Sequence, residues 1–342
     1  MRVVVTGASG AVGRHVADRL STNPDVAELV ALDRVGADRV RRFDLLEDDL
    51  ADVLCSGDTV VHLATSPLRL AGESTASSND LLMARRLFDA AESAGVAHLV
   101  VASSAMVYGA WPDNPVPITE AAPMRPNPEF RFGVVRAEIE QLASRWAEQT
   151  GGALTIIRAA TTLARGRENG LANLLRNSAA LRNAEGDASA QFLHAEDFAK
   201  AVEVVIVGRH TGIFNAAADG WLRADEVAAL RGTPDTPVRA PGFVISAVSE
   251  GRRRLGASTH PGLTPYLRYD WVVANDRLKA LGWSPEFTNE EAYVAGHRPS
   301  RLDGVTAKQR QEVALGAAGA ASAILLVSVI ALIRWLLRRS RI

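Results

Sequence analysis

Three observations on this chain of 342 residues predict an α/β fold with a Rossmann-type, doubly wound parallel sheet. Short apolar runs alternate with helical patterns through the first half, a glycine-rich turn follows the first run, and an aspartate ends the second. Strands are read at Val3 to Val5, Glu28 to Asp33, Val40 to Phe43, Thr59 to Leu63, His98 to Ala102 and Leu154 to Ile157. The helices between and after them are read at Ala11 to Leu20, Asp80 to Ser93, Gly133 to Gln149 and Glu196 to Val207. Loops rich in proline and glycine at Trp111 to Pro128 and Gly232 to Gly262 suit lids or substrate-side insertions. The expected order is a Rossmann-type domain over 1–230 and a small C-terminal substrate-side subdomain over 231–297, partly interleaved with it. The soluble body closes near Leu281-Gly282-Trp283-Ser284-Pro285. A charged linker over 298–312 and a C-terminal hydrophobic helix over 313–337 follow.

Composition narrows the partners. Asp and Glu number 39 against 38 Lys and Arg, a net charge of -1, which gives nucleic acid no electrostatic reason to bind. Cys55 is the only cysteine, so no intrachain disulfide and no cysteine-based zinc site is expected. The start, Met1-Arg2-Val3-Val4-Val5-Thr6-Gly7, enters a strand pattern at once with no basic and apolar leader, so the body is expected in the cytosol. Lysine occurs only at 200, 279 and 308, so the chain favours arginine throughout.

Thr6-Gly7-Ala8-Ser9-Gly10-Ala11-Val12-Gly13 sets three glycines at intervals of three, between the first strand and the first helix. In that context Gly7 serves the tight turn, Gly10 the approach of a pyrophosphate and Gly13 close helix packing, while the helix N-terminus offers free N–H groups. Asp33, about twenty residues on, is placed to bond ribose hydroxyls and favours NAD over NADP. Arg34 beside it would instead meet a 2′-phosphate. Asp44 is read either as a partner of the adenine amine or as an ordinary turn cap. His62 and His194 are read as sheet and loop histidines, with no metal ligand at convincing spacing.

Together the motifs resemble an extended short-chain dehydrogenase/reductase of the NAD-dependent epimerase/dehydratase family over roughly 1–297. The resemblance rests on the glycine turn, Phe43-Asp44-Leu45, Val60-Val61-His62-Leu63-Ala64, Asn79 and Ser103-Ser104-Ala105-Met106-Val107-Tyr108-Gly109. Phe192-Leu193-His194-Ala195-Glu196-Asp197, Gly212-Ile213-Phe214-Asn215 and the Leu281 to Pro285 run continue it. It implies that Leu63, Ala64 and Thr65 touch the adenosine half along with Asp44 and Leu45, that Asn79 steadies the sheet near the cofactor, and that Ser104 bonds a substrate hydroxyl.

Such a family usually carries Tyr-x-x-x-Lys on the helix after the fifth strand. The tyrosine exchanges a hydroxyl proton while hydride moves, and the lysine lowers the phenol's pKa and holds the ribose. Here Phe132 stands at the tyrosine position and Arg136 at the lysine position, where its charge could still hold the cofactor's ribose hydroxyls but its pKa is too high to shuttle a proton, and no Tyr-x-x-x-Lys occurs anywhere in the chain. Phenylalanine has no proton to exchange, a deficit worth on the order of 10² to 10⁴ in rate. Tyr108, four positions after Ser104, is the substitute candidate for the missing phenol, with a wall-packing role as its alternative. Glu129 and Glu138 are candidate bases whose ordinary fate is a solvated carboxylate. Ala105 and Met106 stand where the family's 4,6-dehydratases carry Asp-Glu, which disfavours sugar-nucleotide dehydration.

Val313 to Ile333 is 21 residues without a charge, followed by Arg334 and Trp335, enough to span a bilayer as a helix. Basic residues flank both ends, so orientation is open. Gly316, Gly319, Ala320 and Ala323 would let two such helices pack as a homodimer. Two functions are expected from all this. One is an NAD-dependent, epimerase/dehydratase-like oxidoreductase, acting on a sugar nucleotide or another hydroxyl-bearing small molecule near a membrane, with the bacterial inner membrane as its expected location. The other is a catalytically silent dinucleotide-binding sensor or scaffold anchored there.

Overall fold

The computed structural model describes residues 1–66, 73–165, 171, 188–230 and 261–296. Most of the proline-rich stretch Gly232 to Gly262, the linker and the apolar segment Val313 to Ile333 lie outside them. Among the described residues no helix is long and apolar enough to cross a membrane.

In chain order the elements are β1 (Arg2–Thr6), α1 (Gly13–Ser21), β2 (Glu28–Asp33), β3 (Arg41–Arg42), β4 (Thr59–His62), α2 (Glu73–Ala94), β5 (His98–Ser104) and α3 (Arg131–Thr150). Then come β6 (Ala153–Ala159), β7 (Thr161–Leu163), β8 (Phe192–His194), α4 (Ala195–Val207), β9 (Gly212–Ala216) and α5 (Ala224–Leu230). Three short helices end the described chain: α6 (Thr264–Arg268), α7 (Asp276–Lys279) and α8 (Asn289–Ala295).

Seven strands form one parallel sheet in the order β3-β2-β1-β4-β5-β6-β9. The order reverses beside β1, and that reversal opens a crevice at the strands' C-terminal ends, where ligands of such sheets bind. Alternation along β1 shows why both faces need cover. Val3 and Val5 pack on one side with Val16, Leu20, Val202 and Val205 of α1 and α4, whereas Val4 packs on the other with Leu87 and Phe88 of α2 and Val135 and Ile139 of α3. Each such fully buried aliphatic side chain contributes about 1.5–3 kcal/mol.

The six strands and four helices read from sequence are all present, with shifted ends. β3 is only Arg41–Arg42, and α2 begins at Glu73 rather than Asp80. β7, β8 and β9 were not expected as strands; β7 and β8 pair in parallel as a separate two-stranded sheet. The Leu281 to Pro285 run seals the body against α4. The Trp283 indole donates to the Asp197 carbonyl at 3.0 Å, and the Asp197 carboxylate accepts from Glu286 N at 2.8 Å and Phe287 N at 3.1 Å.

Candidate dinucleotide site and active site

The turn between β1 and α1 is built around three missing side chains. Gly7 has φ of +76°, and a Cβ there would lie 2.7 Å from the backbone of Ala64. A Cβ on Gly13 would lie 2.0 Å from the Gly7 carbonyl oxygen. One on Gly10 would meet only that oxygen, at 3.0 Å, so the outer side of Gly10 is open. α1 begins at Gly13 with Val12 as its N-cap and no side-chain cap; Arg14 N donates to the Gly10 carbonyl at 3.2 Å, and no side chain takes the other N–H groups of the first turn, at the end that meets the glycine turn. Ala11 and Val12 are half-buried beneath it.

Asp33 ends β2 beside this turn. Its carboxylate accepts from Ser9 N at 2.9 Å and Val35 N at 3.0 Å, and Ser9 Oγ donates to the Val35 carbonyl at 2.7 Å. A carboxylate has about four lone-pair sites, so acceptor capacity remains for ribose hydroxyls. Arg34 is exposed next to it. Asp44 caps its own turn, accepting from Leu46 N at 2.9 Å, and Leu45 is buried. Thr6 Oγ1 bonds His62 Nδ1 at 2.9 Å and accepts from Ala64 N at 3.4 Å, which fixes the chain leaving β4 where Leu63, Ala64 and exposed Thr65 pass the glycine turn. These features fit a dinucleotide: the cradle is one that added Cβ atoms would fill, and the carboxylate lies one strand away.

Phe132 and Arg136 lie on the first turns of α3. Phe132 is half-buried and packs 5.9 Å from the ring of Phe130. Arg136 is buried, and its Nη2 donates to Asp80 Oδ2 at 2.7 Å. Burial pulls its guanidinium pKa down against the pull of Asp80. Asn79, half-buried, precedes Asp80 on α2. Ser104 ends β5 and accepts from Met106 N at 3.2 Å, which leaves its own hydroxyl proton available to donate.

Of the two readings of Tyr108, the structure supports packing rather than a substitute phenol. After Ser104 the chain turns tightly through Ala105–Tyr108, and the ring swings into the interior, 1% exposed. Its hydroxyl donates to Asn215 Oδ1 at 2.8 Å and accepts from Arg158 Nη1 at 2.9 Å. Burial raises its pKa even though Arg158 opposes the shift. Arg158 also bonds both oxygens of Glu140, the shortest at 2.7 Å, and Glu140 accepts from Ser103 Oγ. Glu138 is partly exposed and pairs with Arg131 at 3.5 Å.

Sequence reading missed Asp80, Glu140 and Arg158. The available signal was a charge on a buried stripe: Asp80 shares one with Ala84, Leu87 and Ala91, and Glu140 one with Gly133, Arg136, Ala137 and Ala143.

A doubly wound parallel sheet with an anion cradle at its first strand-to-helix turn and a carboxylate at the next strand end defines a dinucleotide-binding α/β protein. Comparison with known proteins makes this specific. The model of the NAD dependent epimerase/dehydratase family matches residues 3–217, and the chain belongs to that family. It is 30% identical over 312 residues to an uncharacterized protein of Mycobacterium tuberculosis strain H37Rv, covering 85% of this chain and 82% of that one. It is 27% identical over 332 residues to a UDP-glucose 4-epimerase of Corynebacterium glutamicum, 86% of this chain and 94% of the relative. In structure it resembles the Thermus thermophilus UDP-glucose 4-epimerase complex with NAD, with a TM-score of 0.65 at 20% identity over 86% of this chain and 97% of that one. The family's cofactor is NAD, and the turn and Asp33 of this chain suit it.

Proposed function

We propose that the chain holds NAD on Gly7 to Gly13 and Asp33, and exchanges hydride at a carbinol carbon of a sugar nucleotide without a phenol at position 132. The glycine turn carries this reading, since a Cβ at Gly7 or Gly13 collides with backbone while the side of Gly10 stays open. NAD, when bound, would supply the hydride acceptor and donor. The chain's own residues supply the rest. α1 directs free N–H groups at the pyrophosphate, Asp33 takes the ribose hydroxyls, and Leu63 to Thr65 with Asp44 and Leu45 line the adenosine half. Asn79 sits at the same end of the sheet. Ser104 donates to the substrate oxygen and holds the hydroxyl in place, and its proton passes to water rather than to a tuned phenol. That substitution leaves turnover about 10² to 10⁴ slower than in a relative with the pair intact.

The UDP-glucose 4-epimerase relative, and the likeness over 86% of this chain to a protein complexed with UDP-glucuronic acid and NAD, TM-score 0.65 at 24% identity, support a sugar-nucleotide substrate. Val313 to Ile333 would anchor this body to a membrane, with the small residues from Gly316 to Ala323 as the contact for a second copy. A second reading, a silent dinucleotide sensor at that membrane, is favoured by Phe132, by the pairing of Arg136 with Asp80 and by the locked hydroxyl of Tyr108.

Incubating the full-length protein with NAD and either UDP-glucose or UDP-glucuronic acid, and following both NADH absorbance and the 4-epimer, separates the two. Slow turnover that Ser104→Ala abolishes supports the enzyme. Bound NAD with no turnover of either sugar removes it and leaves the sensor.

A further inference from the structure

Two opposite charges occupy helix faces that otherwise bury apolar side chains. Asp80 lies on α2 above Ala84 and Leu87, and Arg136 lies on α3 beside Gly133 and Ala137. Their side chains are 8% and 4% exposed. Asp80 divides its carboxylate: Oδ2 accepts from Arg136 at 2.7 Å and Oδ1 from Ser66 N at 2.6 Å. One side chain thereby joins the segment after β4 to α2 and α3. The Arg136 guanidinium also lies over the Phe132 ring, 5.2 Å from its centroid. Taking two ions out of water is expensive, and their attraction only about offsets it, so net stability is a poor reason for the pair.

We infer that Asp80 is a positioning residue that compensates the charge of Arg136 beside position 132 and ties Ser66 to α2 and α3, so that restoring a phenol at 132 alone leaves it untuned for proton transfer. The inference rests on reading positions 132 and 136 as that former pair; it does not depend on NAD being bound. A lone guanidinium about 5 Å from a phenol would lower its pKa by about one to two units. With a carboxylate at hydrogen-bond distance the same guanidinium presents a dipole, and the phenol stays near its ordinary value of about 10. Among the described residues, the titratable groups near this position from the packed elements are Arg136 on α3, Asp80 on α2, His62 on β4 and Tyr266 on α6. Burial and Arg136 hold His62 neutral at a pKa of about 3, and Tyr266 donates its proton to the Met106 carbonyl at 3.2 Å. Neither supplies a second positive charge.

The test is an alkaline absorbance titration of full-length Phe132→Tyr against wild type, a difference that cancels the four native tyrosines. The added phenol should titrate near about 10. In Phe132→Tyr/Asp80→Asn it should titrate at least about one unit lower, because the cation is no longer compensated. In Phe132→Tyr/Asp80→Leu/Arg136→Met, where both charges go and folding is expected to survive, it should stay within about 0.3 units of Phe132→Tyr. A phenol already depressed in Phe132→Tyr, one that Asp80→Asn leaves unmoved, or one raised by removing both charges overturns the inference. If the Asp80→Asn protein does not fold, the charge-free variant decides. NAD binding measured on the same proteins is a separate readout: its loss with the titration pattern intact would sink the dinucleotide reading and leave Asp80 its role.

Discussion

Gly13 faces the Gly7 carbonyl so closely that an added Cβ would sit 2.0 Å from the oxygen, and both partners are backbone. Gly13→Ala should therefore lower stability by about 2–3 kcal/mol, read as a reduced denaturant midpoint. Gly10→Ala meets one atom at 3.0 Å. It should cost under about 1 kcal/mol yet weaken NAD binding at least about tenfold, because the methyl occupies the phosphate side of the turn. Equal effects on stability and binding from both substitutions would contradict the roles assigned to them. Burial lowers the pKa of His62, His98 and His194, and the first two are shifted furthest. Burial holds His62 at a pKa of about 3 and His98 at about 4, against about 6.5 in an unfolded chain. Above that value both rings are neutral in either state. As pH falls below it the unfolded chain takes up protons that the folded chain refuses, so stability drops until about pH 4 and then 3, where the folded rings also protonate. His62→Gln should remove close to one proton from the slope of unfolding free energy between about pH 6 and 4.5. Urea titrations across that window measure it, and an unchanged slope would show that His62 does not stay neutral in the fold.

At the level of elements, β5, α3 and β6 are cross-linked by one buried polar chain running from Ser103 through Glu140 and Arg158 to Tyr108 and Asn215. Glu140→Gln leaves Arg158 without its counter-charge at 3% exposure. It should destabilise by about 3–5 kcal/mol, with a matching fall in unfolding midpoint. A loss under about 1 kcal/mol would mean that the pair is not held as described. This network also marks how far the sequence could be read. Val3 to Val5 and Thr59 to Leu63 were legible because strands buried on both faces are continuous apolar runs, and Glu28 to Asp33 because its apolar run Leu29 to Leu32 ends on Asp33. The start of α2 was not, since Glu73 to Asn79 carries no apolar period and is held as helix by the apolar stripe through Leu81, Ala84, Leu87 and Phe88. β7 and β9 were missed for a related reason: three to five residues give too short a pattern to separate from a loop. At the site, the glycines and Asp33 were legible because their spacing is local. Asp80 with Arg136, 56 residues apart, and Tyr108 with Asn215, 107 apart, need the topology before they meet. Which of the two readings of Tyr108 holds was not legible, because it depends on the tight turn after Ser104 that rotates the ring inward.

On the scale of the whole molecule, charge and fold argue for a small-molecule enzyme or sensor, and the apolar segment Val313 to Ile333 adds a membrane to that proposal. Removing 298–342 should move the protein from the membrane fraction to the soluble one; retention in the membrane fraction would place the anchor elsewhere. Both proposed functions depend on the dinucleotide. The most direct measurement is calorimetric titration of NAD, and separately of NADP, into the full-length protein, with Gly10→Asp as the control. Micromolar NAD binding is expected, with weaker NADP binding because Asp33 repels a 2′-phosphate, and loss of both in the control. No heat from either nucleotide with a folded wild-type protein would contradict a dinucleotide site, and equal heat from wild type and Gly10→Asp would move the site away from the glycine turn.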